Sequence, residues 1–187
     1  GEGAGVEVDG AGRIAAVFQE PTLMPWRSAF ANVTIPAGCG ADEARAWLAR
    51  VGLEGREDAF PRALSLGQQR RVALARAFAS APETLLLDEP FVSLDPESSE
   101  AMQATLVRLL EDRPVRALLV THTRTEAVRL ADRVIRLGGE PAGVVSETRL
   151  DRPRGARDAA WIEEAARALP DGPVADQEPP PSQPPVI

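Results

Sequence analysis

Leu85-Leu86-Leu87-Asp88-Glu89-Pro90 decides how this chain is read. Three consecutive leucines between polar neighbours are the pattern of a short strand buried in a parallel sheet. The strand delivers two adjacent carboxylates to its carboxyl end, the edge at which ligands bind in open α/β sheets. There the first carboxylate can hold Mg²⁺, directly or through water. The second can orient or deprotonate an attacking water. Taken alone, the pair is equally compatible with a solvated strand end.

The flanking sequence supplies the remaining elements. Upstream, residues 13–18 read as a strand that ends at Gln19, and Pro21 and Pro25 then break regularity. Ala44, Trp47, Leu48 and Val51 form the apolar stripe of an amphipathic helix over 42–51, and Gly52 follows as its stop. Ser65 and Gln68 stand at capping-box spacing and open a helix to about Ser80, with Val72, Leu74, Ala75 and Phe78 as its apolar surface. Downstream, Asp95-Pro96 reads as an N-cap and first helical residue, and Met102, Leu106, Leu109 and Leu110 share one side of the helix that follows. Ala117 to Val120 reads as another buried strand. Thr123 and Glu126 have capping-box spacing for a helix to about Ala131. Val134, Ile135 and Leu137 suggest a further strand, Val144-Val145 an edge strand, and Trp161 to Leu169 a short helix. Residues 5–10 look like the tail of a hairpin, and 176–187 like a proline-rich disordered tail. From residue 81 the order strand, helix, strand, helix, strand predicts a parallel sheet with helices on its faces. The helix-rich stretch 21–80 reads as a subdomain inserted between two strands of that sheet.

Composition sets outer limits. The net charge is −7 and the pI about 4.9, which argues against a nucleic-acid partner. Cys39 is the only cysteine, so no internal disulfide is possible; it reads as a small apolar filler between Gly38 and Gly40. No apolar run approaches the ~20 residues that cross a bilayer, and no stretch reads as a signal peptide. A role in a membrane process would be played from the cytoplasmic side. All 21 basic side chains are arginines, and the chain contains no lysine.

Further chemistry-bearing residues fall in a fixed order. In Leu64-Ser65-Leu66-Gly67-Gln68, a serine and a glycine open a helix whose first N–H groups and positive dipole end can face an anion. An ordinary capping box on a basic-faced helix would look the same. Ser93-Leu94-Asp95 follows the carboxylate pair. His122, the only histidine, ends the strand after that and is placed to reach a terminal phosphate.

Gln19, Leu64 to Gln68, Leu85 to Glu89, Ser93 to Asp95 and His122 together resemble, in order and spacing, the nucleotide-binding domains of ABC transporters. The resemblance covers about residues 5–150. Phe18-Gln19-Glu20-Pro21-Thr22-Leu23-Met24-Pro25-Trp26 is similar to importers of the nitrate, sulfonate and taurine group. It implies an α/β fold: a truncated P-loop NTPase, RecA-like parallel sheet with an inserted helical signature subdomain. Residues 1–20 would be the remnant of an N-terminal β region ending at the glutamine loop, and 21–80 the helical subdomain. Residues 81–150 would be half of the RecA-like core, and 151–187 a C-terminal extension.

The same resemblance implies roles. Gln19 would be the glutamine-loop residue, sensing the γ-phosphate and serving the metal. Ser65, Gly67 and Gln68 would belong to the signature motif, in which Leu66 replaces a glycine. Asp88 would hold Mg²⁺, Glu89 would be catalytic, Asp95 would belong to the D-loop and His122 would be the switch histidine. ATP and Mg²⁺ follow as cofactors. The implied partners are a second ATP-binding subunit, transmembrane permease subunits that dock on the helical subdomain, and, indirectly, a periplasmic or lipid-anchored solute-binding protein. The implied location is the cytoplasmic face of a bacterial inner membrane.

The family's phosphate loop, Gly-x-x-x-x-Gly-Lys-Ser/Thr, needs a lysine and therefore does not occur in these 187 residues. With the opening at Gly1, this leads to the expectation of an N-terminally incomplete ATPase subunit of an importer. A non-catalytic interaction subunit, completing a composite ATP site on a full-length partner, is the alternative.

Overall fold

A computed structural model describes residues 12–170 and falls into two compact units, divided after Thr123. The expected hairpin tail over 5–10 and the tail over 176–187 lie outside the described residues.

The first unit is built on a parallel sheet of three strands in the order β1-β2-β3: β1 Ile14–Val17, β2 Thr84–Asp88 and β3 Arg116–Val120. Four helices accompany it: α1 Ala29–Ala37, α2 Ala41–Arg50, α3 Leu66–Ala79 and α4 Pro96–Asp112. The sheet is therefore α/β, and α1, α2 and α3 are inserted between β1 and its neighbour β2. The caps expected at Ser65 and Asp95 are formed. Ser65 Oγ accepts from Gln68 N at 3.2 Å while Gln68 Oε1 accepts from Ser65 N at 3.0 Å. Asp95 accepts from Ser98 N at 2.9 Å, and Pro96 fills the first turn of α4, where an N–H would lack a partner. Helix α1 was not apparent in the sequence. Its residues show no clear apolar stripe, and Pro36 lies inside it, but Pro36 sits in the last turn and Ser28 caps the start.

Helix α3 is the hub of this unit. It packs against α1, α2, α4 and β1 and buries Val72, Leu74, Ala75 and Phe78. Trp47 of α2 meets the Phe78 ring at a centroid distance of 5.8 Å, with Arg50 stacked over the outer side of its indole at 4.8 Å. Leu85 and Leu87 of β2 and Val17 of β1 point into the same core.

Two expectations are corrected. Strands β2 and β3 are not buried on both faces. Alternation along the pleat turns Leu86 (36% exposed), Leu118 (59%) and Val120 (53%) to the side opposite the core, and no described element of this unit covers that side. The strand over Val134 to Leu137 does not join the parallel sheet. It is β4, Arg133–Gly138, paired antiparallel with β5, Gly143–Arg149. Gly139, at φ 84°, supplies the left-handed residue that lets the chain turn back on itself.

The β4–β5 ribbon belongs to the second unit, with α5 Arg124–Leu130 and α6 Ala159–Ala168. Val128, Ile162, Ala166 and Leu169 form its small core, with Trp161 packed at the edge. Arg157 is buried there. Its Nη1 donates to the carbonyls of Val128 (2.8 Å) and Ala131 (2.7 Å), and its Nε to Arg152 O (2.7 Å). It thereby caps the C-terminal end of α5, where unpaired carbonyls and the helix dipole favour a cation. Arg154 adds a bond to Leu130 O at 2.6 Å.

Two stability outcomes follow. Phe78→Ala removes a fully buried ring from the hub and should cost about 3–5 kcal/mol in urea unfolding; a loss below about 1 kcal/mol would contradict the assigned packing. Arg157→Met should leave the α5 carbonyls unpaired and cost about 1–3 kcal/mol. Its amide exchange should quicken within 124–170 and stay unchanged over 29–112; uniform change across both ranges would contradict a local cap.

Candidate functional site

The parallel register places the chemistry. Asp88 at the end of β2 pairs with Val120 at the end of β3, and Glu89 N extends the ladder by donating to Val120 O at 2.9 Å. The next residues of the two strands, Glu89 and the Thr121-His122 pair, therefore leave the sheet side by side. Glu89 turns sharply, with φ 45°, a left-handed conformation that costs a non-glycine residue on the order of 1–3 kcal/mol. That turn brings its carboxylate to His122: Oε1 lies 2.8 Å from Nδ1. Glu89 is the more enclosed partner, 22% exposed at its side chain against 70% for His122.

A carboxylate only accepts hydrogen bonds, so this contact requires a proton on Nδ1 of His122. The imidazole then directs Nε2 away from the glutamate. Asp88 stays exposed at the strand end. The pair thus offers an acceptor suited to a water proton and, when both ring nitrogens carry a proton, an Nε2 donor suited to a phosphate oxygen, on neighbouring strands.

Gln19 lies two residues beyond β1, the strand on the other side of β2. Its backbone carbonyl accepts from Arg70 Nη2 at 2.9 Å. The glutamine, the two carboxylates and the histidine therefore all follow the carboxyl ends of three adjacent parallel strands.

Ser65, Gly67 and Gln68 form a separate group at the start of α3. The Ser65–Gln68 capping box uses the serine's acceptor and the glutamine's carbonyl internally. Leu66 occupies the first helical position with its side chain exposed, so its presence in place of a glycine leaves the cap intact. A Cβ added at Gly67 would lie 3.7 Å from Leu94 Cδ2 and from Ser98, an ordinary contact, and its backbone is not in the left-handed region. The chain's own fold does not demand glycine there. Asp95 caps α4 beside this group. Hydrogen bonds from the Ser98 side chain and backbone hold its carboxyl below the usual aspartate range.

Among the described residues no cluster of three or more His, Cys, Asp or Glu side chains could cage a metal ion. Mg²⁺ keeps several waters and binds through one or two carboxylates plus substrate phosphates. Asp88 is the exposed carboxylate at the strand end that fits such a role.

Sequence reasoning missed Arg70. The signature helix reads as merely basic-faced, yet Arg70 is 2% exposed and bonded to three backbone carbonyls. A usable signal was present: Arg70 shares a helical stripe with Leu74, Ala77 and Phe78, all buried.

The ABC transporter family model matches residues 7–92. The chain is 41% identical over 164 residues to the aliphatic sulfonates import ATP-binding protein SsuB 1 of Pseudomonas savastanoi, covering 84% of this chain and 68% of that protein. It is 45% identical over 158 residues to SsuB 1 of Rhodococcus jostii, covering 82% and 64%. An uncharacterized ABC transporter ATP-binding protein of Methanocaldococcus jannaschii is 38% identical over 177 residues, covering 90% and 66%. The chain thus spans about two thirds of the length of these curated relatives. Among solved structures, the ATP-binding cassette MJ0796, a dimer in a post-hydrolysis state bound to ADP and Pi, matches with a TM-score of 0.59 and 33% identity. That match covers 67% of this chain and 58% of the cassette. With the α/β fold and the ordered site residues already in place, the chain belongs to the ATP-binding protein family of ABC transporters.

Proposed function

We propose that this chain is the greater part of an importer's ATP-binding subunit, coupling ATP hydrolysis to uptake of a small oxyanion of the sulfonate, nitrate or taurine kind. The single observation that carries this reading is the Glu89–His122 contact at 2.8 Å on adjacent strand ends. Similarity to sulfonate import proteins supports the transport direction and the solute class.

In this reading Glu89 accepts a proton from the attacking water, and His122, oriented by Glu89, contacts the γ-phosphate through Nε2. Gln19 approaches the same phosphate from the far side of β2. Asp88 is the residue that would hold Mg²⁺, directly or through water; that ion, when bound, offsets the negative charge of the phosphate oxygens. Ser65, Gly67 and Gln68 present helix N–H groups and small side chains to a nucleotide held by a second ATP-binding subunit, with Asp95 beside them. Gly67 supports this: with space for a Cβ inside its own fold, its value lies in letting a ligand approach the backbone from outside. The lysine-bearing phosphate loop is not among these 187 residues, so the site needs it from sequence outside them.

The helical segment 21–80 is the proposed dock for a transmembrane permease, which a solute-binding protein would serve from the other side. The proposed place of the subunit is the cytoplasmic face of the membrane, attached through that permease; among the described residues no helix is long and apolar enough to cross a membrane.

Two outcomes test this. In the full-length polypeptide assembled with its partners, Glu89→Gln should lower kcat for ATP about 10²-fold or more with little change in KM. Adding His122→Ala to that variant should cost far less than it does alone, because the two act as a unit. Full additivity would contradict the pairing. The 187-residue chain by itself should show no rise in Tm with millimolar MgATP; a rise of several degrees would mean that it cradles the phosphates without the lysine loop.

A further inference from the structure

We propose that Arg70 is a positioning residue, which fixes the Gln19 segment and the Glu89 loop to the signature helix as one unit. The inference rests on the ATPase reading above, because it gives those two segments a shared task.

The guanidinium of Arg70 emerges from the second turn of α3, immediately after the Ser65–Gln68 cap. Its Nη2 donates to Gln19 O at 2.9 Å, just beyond β1. Its Nη1 donates to Pro90 O at 3.2 Å and also to Val92 O, both in the turn that follows Glu89. The side chain is 2% exposed, and its Nε has no hydrogen-bond partner among the described residues. Among the described residues no carboxylate pairs with it; three carbonyl dipoles face it instead. Burying a charge on this basis is costly unless the geometry is well satisfied. Packing alone would be served as well by an apolar residue.

What the arginine holds explains its cost. Two of the three carbonyls it grips, those of Pro90 and Val92, lie between two left-handed non-glycine residues, Glu89 at φ 45° and Ser93 at φ 60°. Such a turn persists only when its surroundings over-determine it. Arg70 supplies that constraint from outside the turn, so the direction of the Glu89 carboxylate toward His122 depends on where α3 stands. The Gln19 side is held at two points. Arg76, six residues further along α3, donates to Pro21 O (3.2 Å), Thr22 O (2.9 Å) and Thr22 Oγ1 (3.1 Å), and Thr22 is also left-handed, at φ 47°. Arg76 reaches only the Gln19 side, whereas Arg70 reaches both. Displacement of the signature helix therefore moves Gln19 and Glu89 together, through one side chain.

The test compares Arg70→Met, Arg70→Lys and Arg76→Met in the full-length polypeptide with its partners. Arg70→Met should speed amide exchange in both 19–27 and 89–95, while Arg76→Met should speed it in 19–27 alone. Arg70→Met should lower kcat about a hundredfold with KM for ATP within about twofold, since misplacement of about 1 Å costs this much. Arg70→Lys, which keeps a cationic donor, should recover at least a tenth of the parent rate. Arg76→Met controls for general loss of stability. Unchanged exchange at 89–95 in Arg70→Met overturns the proposal, as does a rise in KM at constant kcat or an equal loss of kcat in Arg76→Met. A parent protein that hydrolyses no ATP overturns the ATPase reading instead, and exchange still decides whether Arg70 ties the two segments.

Discussion

The constraint on which the rest depends is the parallel register of β2 with both of its neighbours. Pairing Leu87 with Val17 on one side and Asp88 with Val120 on the other brings three strand ends to the same level. Parallel strands all point their carboxyl ends in one direction, so the residues that follow them, Gln19, Glu89 and His122, must share an edge. A slip of one residue would turn Leu85 and Leu87 out of the core, and Glu89 away from the imidazole with them. The packing of two leucines and the placement of the Glu89 carboxylate are thus one requirement.

Helix α3 links this edge to the helical insertion. Its start carries the Ser65–Gln68 capping box, its middle buries the core around Leu74 and Phe78, and its arginines reach sideways to loops at the strand ends. A buried guanidinium bonded only to carbonyls does little for net stability compared with an apolar replacement. It does fix geometry, because several planar donors must be matched at once. Three of the four left-handed non-glycine residues described, Thr22, Glu89 and Ser93, lie beside a carbonyl that Arg70 or Arg76 holds; the fourth, Ala81, does not. Strain of this kind is affordable at a site where direction matters more than stability.

Much of this was legible in the sequence, for identifiable reasons. The leucine run before Asp88 and the caps at Ser65 and Asp95 are local signals, and local physics settles them. The nearness of Glu89 and His122 came from their shared position at strand ends. Other features depend on what packs where. Leu118 and Val120 look like core residues from composition, but alternation turns Leu118 and Val120 toward a side that no described element of the first unit covers. The strand at Val134 fits a parallel or an antiparallel sheet equally well until the turn at Gly139 decides. Arg70 looked like surface charge because arginine usually is, and its stripe with Leu74 and Phe78 was the overlooked hint. Helix α1 showed no apolar period, because its polar Asn32 is buried and bonded to backbone rather than turned to solvent.

The central claim is that Glu89 and His122 face the terminal phosphate of a nucleotide. A structure of the full-length polypeptide with Mg²⁺, ADP and aluminium fluoride tests it most directly. The fluoride, standing in for the transferred phosphoryl group, should lie within about 3 Å of His122 Nε2 and of a water held by Glu89. Nucleotide bound elsewhere, with the Glu89–His122 pair facing only solvent, would contradict it.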